Sequence, residues 1–400
     1  MSVLVIGGSI AGLAVADALR AQEYEGRVTV VDADPELPYD KPPLSKHALK
    51  GDWDPAKGLL RPEEHYRDKD VELVTGRTAV ALDAASRTVR LDDGSELSAD
   101  HVVLATGVRA RLLPEELMLP GVHAIRTAQD SAAVRAALAE RPRLVVIGGG
   151  FIGAEAAAVA AGMGLDVTIV EALPLPFEHL FGSDVAQALA GWHRGAGVTL
   201  ECGAMVTGIE GEERVERVRL SDGRTLEADL VLLGLGAIPA IDWLEGSGLA
   251  LANGITCDAH GRTSVPGIWA AGDAAAWLDP ATGQHHRVEH WTTAKEQGAA
   301  VGHNIARPDA PARTVGAVPY FWSDQYGHRL QFLGTSTDHD ATHLVHGSLD
   351  DTEFVVLYSR EGRLIGGLGS AAARHLMKYR PLIAEGALID DVLSPEGAGA

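Results

Sequence analysis

Only two cysteines, Cys202 and Cys257, occur among the 400 residues. That number excludes a disulfide framework and a four-cysteine metal site, and thiols so sparse fit a reducing cytoplasm. Also missing is any unbroken apolar run of about 18 residues that could cross a bilayer, and the first residues carry no cleavable signal. A soluble, cytoplasmic protein is therefore expected. Basic residues are in the minority, 34 against 55 acidic, which leaves a formal net charge of −21. Nucleic acid and anionic membranes both reward clustered Lys and Arg, so neither is an expected partner.

What is present is a chain too long for one core, since single cores rarely grow much beyond about 250 residues, and it repeats itself. SVLVIGGSIAGLAVADALR at 2–20 predicts a buried strand over residues 2–6, a glycine turn and an amphipathic helix, with a second strand in RVTVV at 27–31. RLVVIGGGFIGAEAAAVAAGMGLDVTIVE at 143–171 spells the same order again. The copy extends further, because LDDGSELSADHVVLATG at 91–107 aligns without a gap on LSDGRTLEADLVLLGLG at 220–236. Each half thus predicts a βαβ unit, a meander with a DG hairpin turn and a closing strand.

The expected fold is α/β, with two doubly wound dinucleotide-binding domains that place their ligands at the carboxyl ends of parallel strands. TSVPGIWAAGD at 263–273 follows the second copy and reads as chain returning to complete the first domain. Beyond the loop at 306–314 the pattern changes to short strands (QFLGTS, HLVHGS, EFVVLYS, LIGGLGS) and one C-terminal helix, a third α+β domain. The boundaries drawn are 1–107 and 233–308 for the first domain, 108–232 for the second and 309–400 for the third.

In the first turn, Gly7, Gly8, Ser9, Ile10, Ala11 and Gly12 read GGSIAG, with Ser9 where G-x-G-x-x-G has its middle glycine. A serine there narrows the approach to a pyrophosphate, while its hydroxyl is able to bond one. Asp32 and Asp34 follow near the spacing that reaches an adenosine ribose, and Asp32 is favoured. In the second turn the fingerprint is complete over Gly148, Gly150, Phe151, Ile152 and Gly153, and Glu171 ends the following strand 23 residues beyond Gly148. A carboxylate there accepts both ribose hydroxyls and repels a 2′-phosphate by about 4 kcal/mol at 4 Å, which favours NADH over NADPH. Two dinucleotide sites on one chain suggest a resident cofactor, a visiting one and hydride transfer between them.

Nearly the whole chain resembles the FAD-dependent NADH:ferredoxin reductases, the group of putidaredoxin reductase and the reductases of aromatic-ring dioxygenases. The resemblance rests on YDKPPLSK at 39–46, ATG at 105–107, GGGFIGAE at 148–155, AAGD at 270–273, VEHW at 288–291 and VPYFWSDQYGHRLQFLG at 318–334. It implies the glutathione-reductase-like pair of FAD and NAD domains, with the FAD pyrophosphate on Gly7–Gly12, Asp273 on its ribityl and phosphate oxygens, Arg126 reaching the phosphates and Ala79 at the adenine. Lys41, Pro42, Ala105, Thr106, Gly107, Gly272 and His290 complete that set, and Gly236 joins the NAD set. Lys46 is implied beside the flavin ring, Glu155 as its ion-pair partner on the far side of the flavin, on the first turn of its helix, and Trp291 against the flavin. Where members of the group often carry an arginine four residues beyond Glu171, this chain has Leu175.

Disulfide reductases of this fold carry a cysteine pair beside the flavin, and the NADH oxidases and peroxidases one cysteine; Lys46 fills that place here. Electrons are then expected to leave the reduced ring directly, without thiolate attack. The implied activity is NADH-dependent reduction, through FAD, of a two-iron two-sulfur ferredoxin that feeds a haem monooxygenase or ring-hydroxylating dioxygenase. The same cofactors also serve rubredoxin, oxygen or quinone as acceptors, or a slowly turning flavin sensor. His339, His343 and His346 have helical spacing but fall in a turn and an edge strand, so no metal site is expected from them. RHLMKYR at 374–380 reads as a solvated helix face or as part of a landing patch for an acidic ferredoxin.

Overall fold

A computed structural model describes residues 1–53, 58–280, 282–316 and 318–394. Its contacts group into two units, one of Met1–Asp40, Pro55–Arg109 and Ile238–Pro319, the other of Lys41–Asp54, Ala110–Ala237 and Tyr320–Ala400.

The first unit is built on a five-stranded parallel sheet in the order Ile268–Ala270, His101–Leu104, Val3–Ile6, Val28–Asp32, Val71–Thr75. Its strands are nearly continuous apolar runs because both faces are covered; Val5, Val30 and Val103 are wholly buried. The returning segment enters as the edge strand Ile268–Ala270, in register Ile268↔Val102. The helix Ile10–Ala21 lies against the helix Trp291–Ala306 at an approach that only small residues allow. A Cβ on Gly298 would sit 2.2 Å from the Ala11 carbonyl oxygen, and one on Gly302 2.6 Å from that of Val15.

The second unit repeats the plan with Thr199–Cys202, Val167–Glu171, Leu144–Ile147, Leu230–Leu233 and Val122–Ala124, all parallel. The aligned segments fold alike: Ala79–Asp83, Thr88–Leu91 and Glu96–Ser98 make one three-stranded meander, Val206–Glu210, Arg217–Leu220 and Thr225–Glu227 the other. Both DG turns close with the same bond, Gly94 N–H to Leu91 C=O at 3.0 Å and Gly223 N–H to Leu220 C=O at 3.1 Å.

The same unit carries an antiparallel sheet ordered Tyr320–Gln325, His328–Gly334, Arg363–Ser370, Phe354–Arg360, Ala341–Gly347. It buries Phe332, Phe354 and Tyr358 against Phe177, Phe181 and the helix Ser183–Gly195. Four of its strands match the expected segments; Tyr320–Gln325 lies inside the VPYFWSDQ stretch. The single C-terminal helix is corrected to three short ones, Ala373–Met377, Arg380–Glu385 and Ile389–Leu393. Pro381 lacks the N–H that a continuing helix would need, and Gly386 takes a left-handed conformation that stops the second. The basic stretch is thereby divided, with Leu376 and Tyr379 buried and Arg374 and Arg380 exposed. Among the described residues, no helix is long and apolar enough to cross a membrane.

Candidate functional site

Each unit offers a strand, a glycine turn and a helix N-terminus. At the turn the chain must pass under the carbonyl of the neighbouring strand's end, at positive φ. Gly7 has φ +107° and a Cβ there would lie 2.1 Å from the Ala105 oxygen; Gly148 has φ +99° and a Cβ would lie 2.5 Å from the Gly234 oxygen. No L side chain fits either place. A Cβ on Gly12 or Gly153 would press on the turn itself, 1.9 Å from the Gly7 oxygen and 2.2 Å from the Gly148 oxygen. At the middle position the demand is absent: a Cβ on Gly150 would find its nearest neighbour 3.9 Å away. Ser9 occupies the matching position of the first turn, in extended backbone.

The helices Ile10–Ala21 and Phe151–Gly162 begin at Ser9 and Gly150 without a side-chain cap, which leaves their first-turn N–H groups facing out at the positive end of the dipole. That is the arrangement that accepts a phosphate. Beside each turn a carboxylate is clamped by two backbone amides. Gly8 N–H donates to Asp32 Oδ2 at 2.9 Å and Asp34 N–H to Oδ1 at 3.1 Å; Gly149 N–H donates to Glu171 Oε2 at 2.8 Å and Leu173 N–H to Oε1 at 2.9 Å. Each oxygen keeps lone-pair capacity for a ribose hydroxyl. Asp34 is differently engaged, with its carboxylate taking the Tyr39 hydroxyl and the Glu36 amide.

The other expected first-unit positions lie at strand ends and in the segment that leads into the helix Trp291–Ala306. Ala105 N–H bonds the Ile6 carbonyl and Thr106 Oγ1 donates to Ala240 C=O at 2.9 Å, while Gly107 follows at positive φ. Ala79 is buried at the start of its strand. Gly272 N–H donates to Gln297 Oε1 at 2.8 Å, and Arg287 Nη1 donates to Asp273 C=O at 3.1 Å. His290 stands at the N-cap position of the helix Trp291–Ala306 without a side-chain capping bond, and burial holds its imidazole pKa down to about 4, so it is neutral at pH 7. Trp291 Nε1 donates to Asp40 Oδ1 at 2.8 Å, and the Lys295 ammonium lies 5.4 Å from its ring. Asp40 was visible only as a letter of YDKPPLSK, and Gln297 and Arg287 carry no sequence signal apart from lying near VEHW.

In the second unit Lys41 starts a tight 3-10 turn over Pro42–Ser45, with Pro42 and Pro43 fixing φ at its first positions. Ser131 Oγ donates to Leu44 C=O at 2.7 Å and pins the turn, and Lys46 follows it. Lys46 Nζ lies 3.0 Å from Glu155 Oε1, with the side chains 10% and 5% exposed. The expected ion pair between Lys46 and Glu155 is thus formed, as a direct contact. Glu155 is the fifth residue of Phe151–Gly162, on the second turn rather than the first.

Three side chains that the sequence did not single out complete this cluster. Ser45 Oγ donates to Glu155 Oε2 and Ser323 Oγ to Oε1, both at 2.6 Å, and Asp324 Oδ2 stands 3.7 Å from Lys46 Nζ. Burial pushes the Glu155 carboxyl up, against the pull of Lys46 and the two hydroxyls. Asp324 is tied in turn to Arg329 at 2.7 Å. Elsewhere in the unit, Ile152 is exposed, Phe151 packs on Phe177 and Phe321, Gly236 C=O accepts Arg111 N–H at 3.0 Å, and Arg126 precedes the capping box of Thr127 and Asp130. Cys257 is buried and Cys202 half-buried; neither lies in the 42–46 turn.

Comparison with known proteins agrees with this geometry. The chain is 36% identical over 386 residues to the rhodocoxin reductase of Rhodococcus erythropolis, covering 96% of this chain and 90% of that one. It is 35% identical to a ferredoxin–NAD(P)+ reductase of Sphingomonas sp, covering 97% and 94%. Among solved structures, the ferredoxin reductase for the CYP199A2 system from Rhodopseudomonas palustris superposes with a TM-score of 0.93 at 34% identity, over 99% and 98% of the two chains. The reductase of a covalent putidaredoxin reductase–putidaredoxin complex gives 0.93 at 31% identity, over 99% and 96%. A reductase C-terminal domain matches residues 320–394. With residues 1–298 matching the family described as pyridine nucleotide-disulphide oxidoreductase, the chain belongs to that family.

Proposed function

We propose that this protein is an NADH:ferredoxin oxidoreductase that binds FAD at the Gly7–Gly12 turn and NADH at the Gly148–Gly153 turn. The observation that carries the reading is the doubled device of an uncapped helix N-terminus, a turn whose first and last glycines tolerate no Cβ, and an amide-clamped carboxylate. A bound flavin supplies the conversion between the two electrons of a hydride and the single electrons that an iron-sulfur protein accepts.

The chain's own residues bind, orient and neutralise. First-turn amides of Ile10–Ala21 and Phe151–Gly162 hold the two pyrophosphates. Asp32 and Glu171 take the adenosine ribose hydroxyls, and Glu171 repels a 2′-phosphate. Asp273, Arg126 and Ala79 serve the FAD side. Lys46 presents a buried ammonium, fixed by Glu155, where thiol-dependent members of this fold carry cysteine. The acceptor is a two-iron two-sulfur ferredoxin serving a haem monooxygenase or a ring-hydroxylating dioxygenase; in support, the relatives are named for rhodocoxin, for the ferredoxin of a benzene 1,2-dioxygenase system and for putidaredoxin. Two unbridged thiols and no membrane-spanning helix among the described residues support a cytoplasmic location.

Reconstitution with FAD, titration with NADH and NADPH, and reduction of a panel of ferredoxins test the reading. Retained FAD, a preference for NADH and reduction of a two-iron ferredoxin are the expected results. Failure to retain FAD would overturn it.

A further inference from the structure

The edge strand Ala341–Gly347 alternates half-buried and exposed residues through Val345, and the alternation then breaks. Its pairing with Phe354–Arg360 shifts register between Leu344 and His346, the mark of a bulge. A bulge re-aims the side chain that follows it, and here His346 ends half-buried next to a half-buried Val345. His346 Nε2 lies 3.0 Å from Oε1 of Glu353, the residue just before Phe354–Arg360. Its ring stacks on that of His375, from the helix Ala373–Met377, with centroids 3.8 Å apart and planes 14° apart. One ligand atom from each of the three residues lies within 4.8 Å of the others. Three separate elements of the C-terminal sheet region therefore deliver two imidazoles and a carboxylate to one surface point.

We propose that His346, Glu353 and His375 form a binding site for one zinc-class divalent ion. An imidazole ligates a metal through the in-plane lone pair of an unprotonated ring nitrogen. Two imidazole nitrogens and one carboxylate oxygen are a borderline donor set that suits zinc and disfavours the hard cations magnesium and calcium. Metal–ligand bonds of about 2.0–2.2 Å require donor atoms roughly 3.3 Å apart. The His346–Glu353 pair already stands at 3.0 Å, and the exposed His375 side chain needs only a rotation to close on it. The ion sits between His346 Nε2 and Glu353 Oε1, with the His346 ring proton carried on Nδ1, and its remaining positions face water. Its structural effect is to clip the edge strand, the loop before Phe354 and the helix Ala373–Met377 together.

The test uses the full chain, freed of metal with a chelator and dialysed. Zinc chloride, and magnesium chloride as the hard-cation control, are titrated while bound metal and the thermal midpoint are followed. The expected result is one zinc per chain, a raised midpoint, no response to magnesium, and at least tenfold weaker zinc binding in His375→Asn and in Glu353→Gln. Circular dichroism on both variants checks that these exposed substitutions leave the fold intact. No zinc uptake near one equivalent, or uptake unchanged in a His346→Asn/His375→Asn double variant, would overturn the site. The readout is metal and stability rather than turnover, so its failure is separate from any failure of the electron-transfer reading.

Discussion

Lys46 and Glu155 form a contact ion pair at 3.0 Å that is almost withdrawn from water, and two serine hydroxyls occupy the carboxylate oxygens as well. Desolvation makes such a pair expensive to keep and more expensive to break. The carboxylate of Asp324 at 3.7 Å is the alternative partner, and its own pairing with Arg329 draws it toward the surface.

Removing one partner should therefore cost more than removing both. Glu155→Ala is expected to lower unfolding free energy by about 3–5 kcal/mol, because it takes the nearest partner from a buried Lys46. A Lys46→Met/Glu155→Leu double variant should recover most of that loss. Urea unfolding of the single and double variants measures it, and additive losses would show that the two residues are not coupled.

The two positions of the first glycine turn should respond oppositely. Gly7→Ala drives a Cβ to 2.1 Å from the Ala105 oxygen at φ +107°, so the variant is expected to lose FAD or fold poorly. Ser9→Gly restores the spacing of the second turn and should keep FAD at wild-type occupancy. The ratio of flavin to protein absorbance reports both.

Glu171 should set nucleotide choice. Glu171→Ala removes a carboxylate held by two amides; KM for NADH is expected to rise about tenfold, for a loss of about 1.4 kcal/mol. KM for NADPH should fall or stay level, since the charge opposing its 2′-phosphate is gone. Parallel KM measurements with the two nucleotides decide it.

Acid should destabilise the second unit through His193. This imidazole is fully buried beside the Tyr326 hydroxyl at 2.6 Å, and burial holds its pKa down to about 4. The folded value lies below the unfolded one, so the unfolded chain binds the extra proton and stability rises with pH across the window. The contribution is complete above about 6.5 and is lost as pH falls toward 4, by roughly 3 kcal/mol. A shallower fall of stability from pH 6.5 to 4 in His193→Asn than in the wild type is the expected result of unfolding at a series of pH values.

Much of this was legible where a local pattern dictates a local structure. The two strand–turn–helix copies, the meanders and the Glu171 position follow from periodicity and from glycines that cannot be replaced. The burial of Glu155 was hidden, because its helix is small and apolar on nearly every side and its partners come from residues 110 and 168 positions away. Ser323 and Asp324 were visible only as letters inside a longer motif. The histidines read as spaced along the chain were regrouped by the sheet: His343 turned to Ser359, His339 to Ser336, and only His346 met His375. The broken C-terminal helix depended on Pro381 and Gly386, which signal a stop but not how many pieces result.

The most direct measurement is anaerobic stopped-flow of the FAD-loaded protein with NADH, followed by mixing with a two-iron two-sulfur ferredoxin. Rapid bleaching of the flavin absorbance by NADH, then its return as the ferredoxin is reduced, is the expected outcome. Bleaching by NADH with no electron passing to any ferredoxin of a broad panel would contradict the assignment.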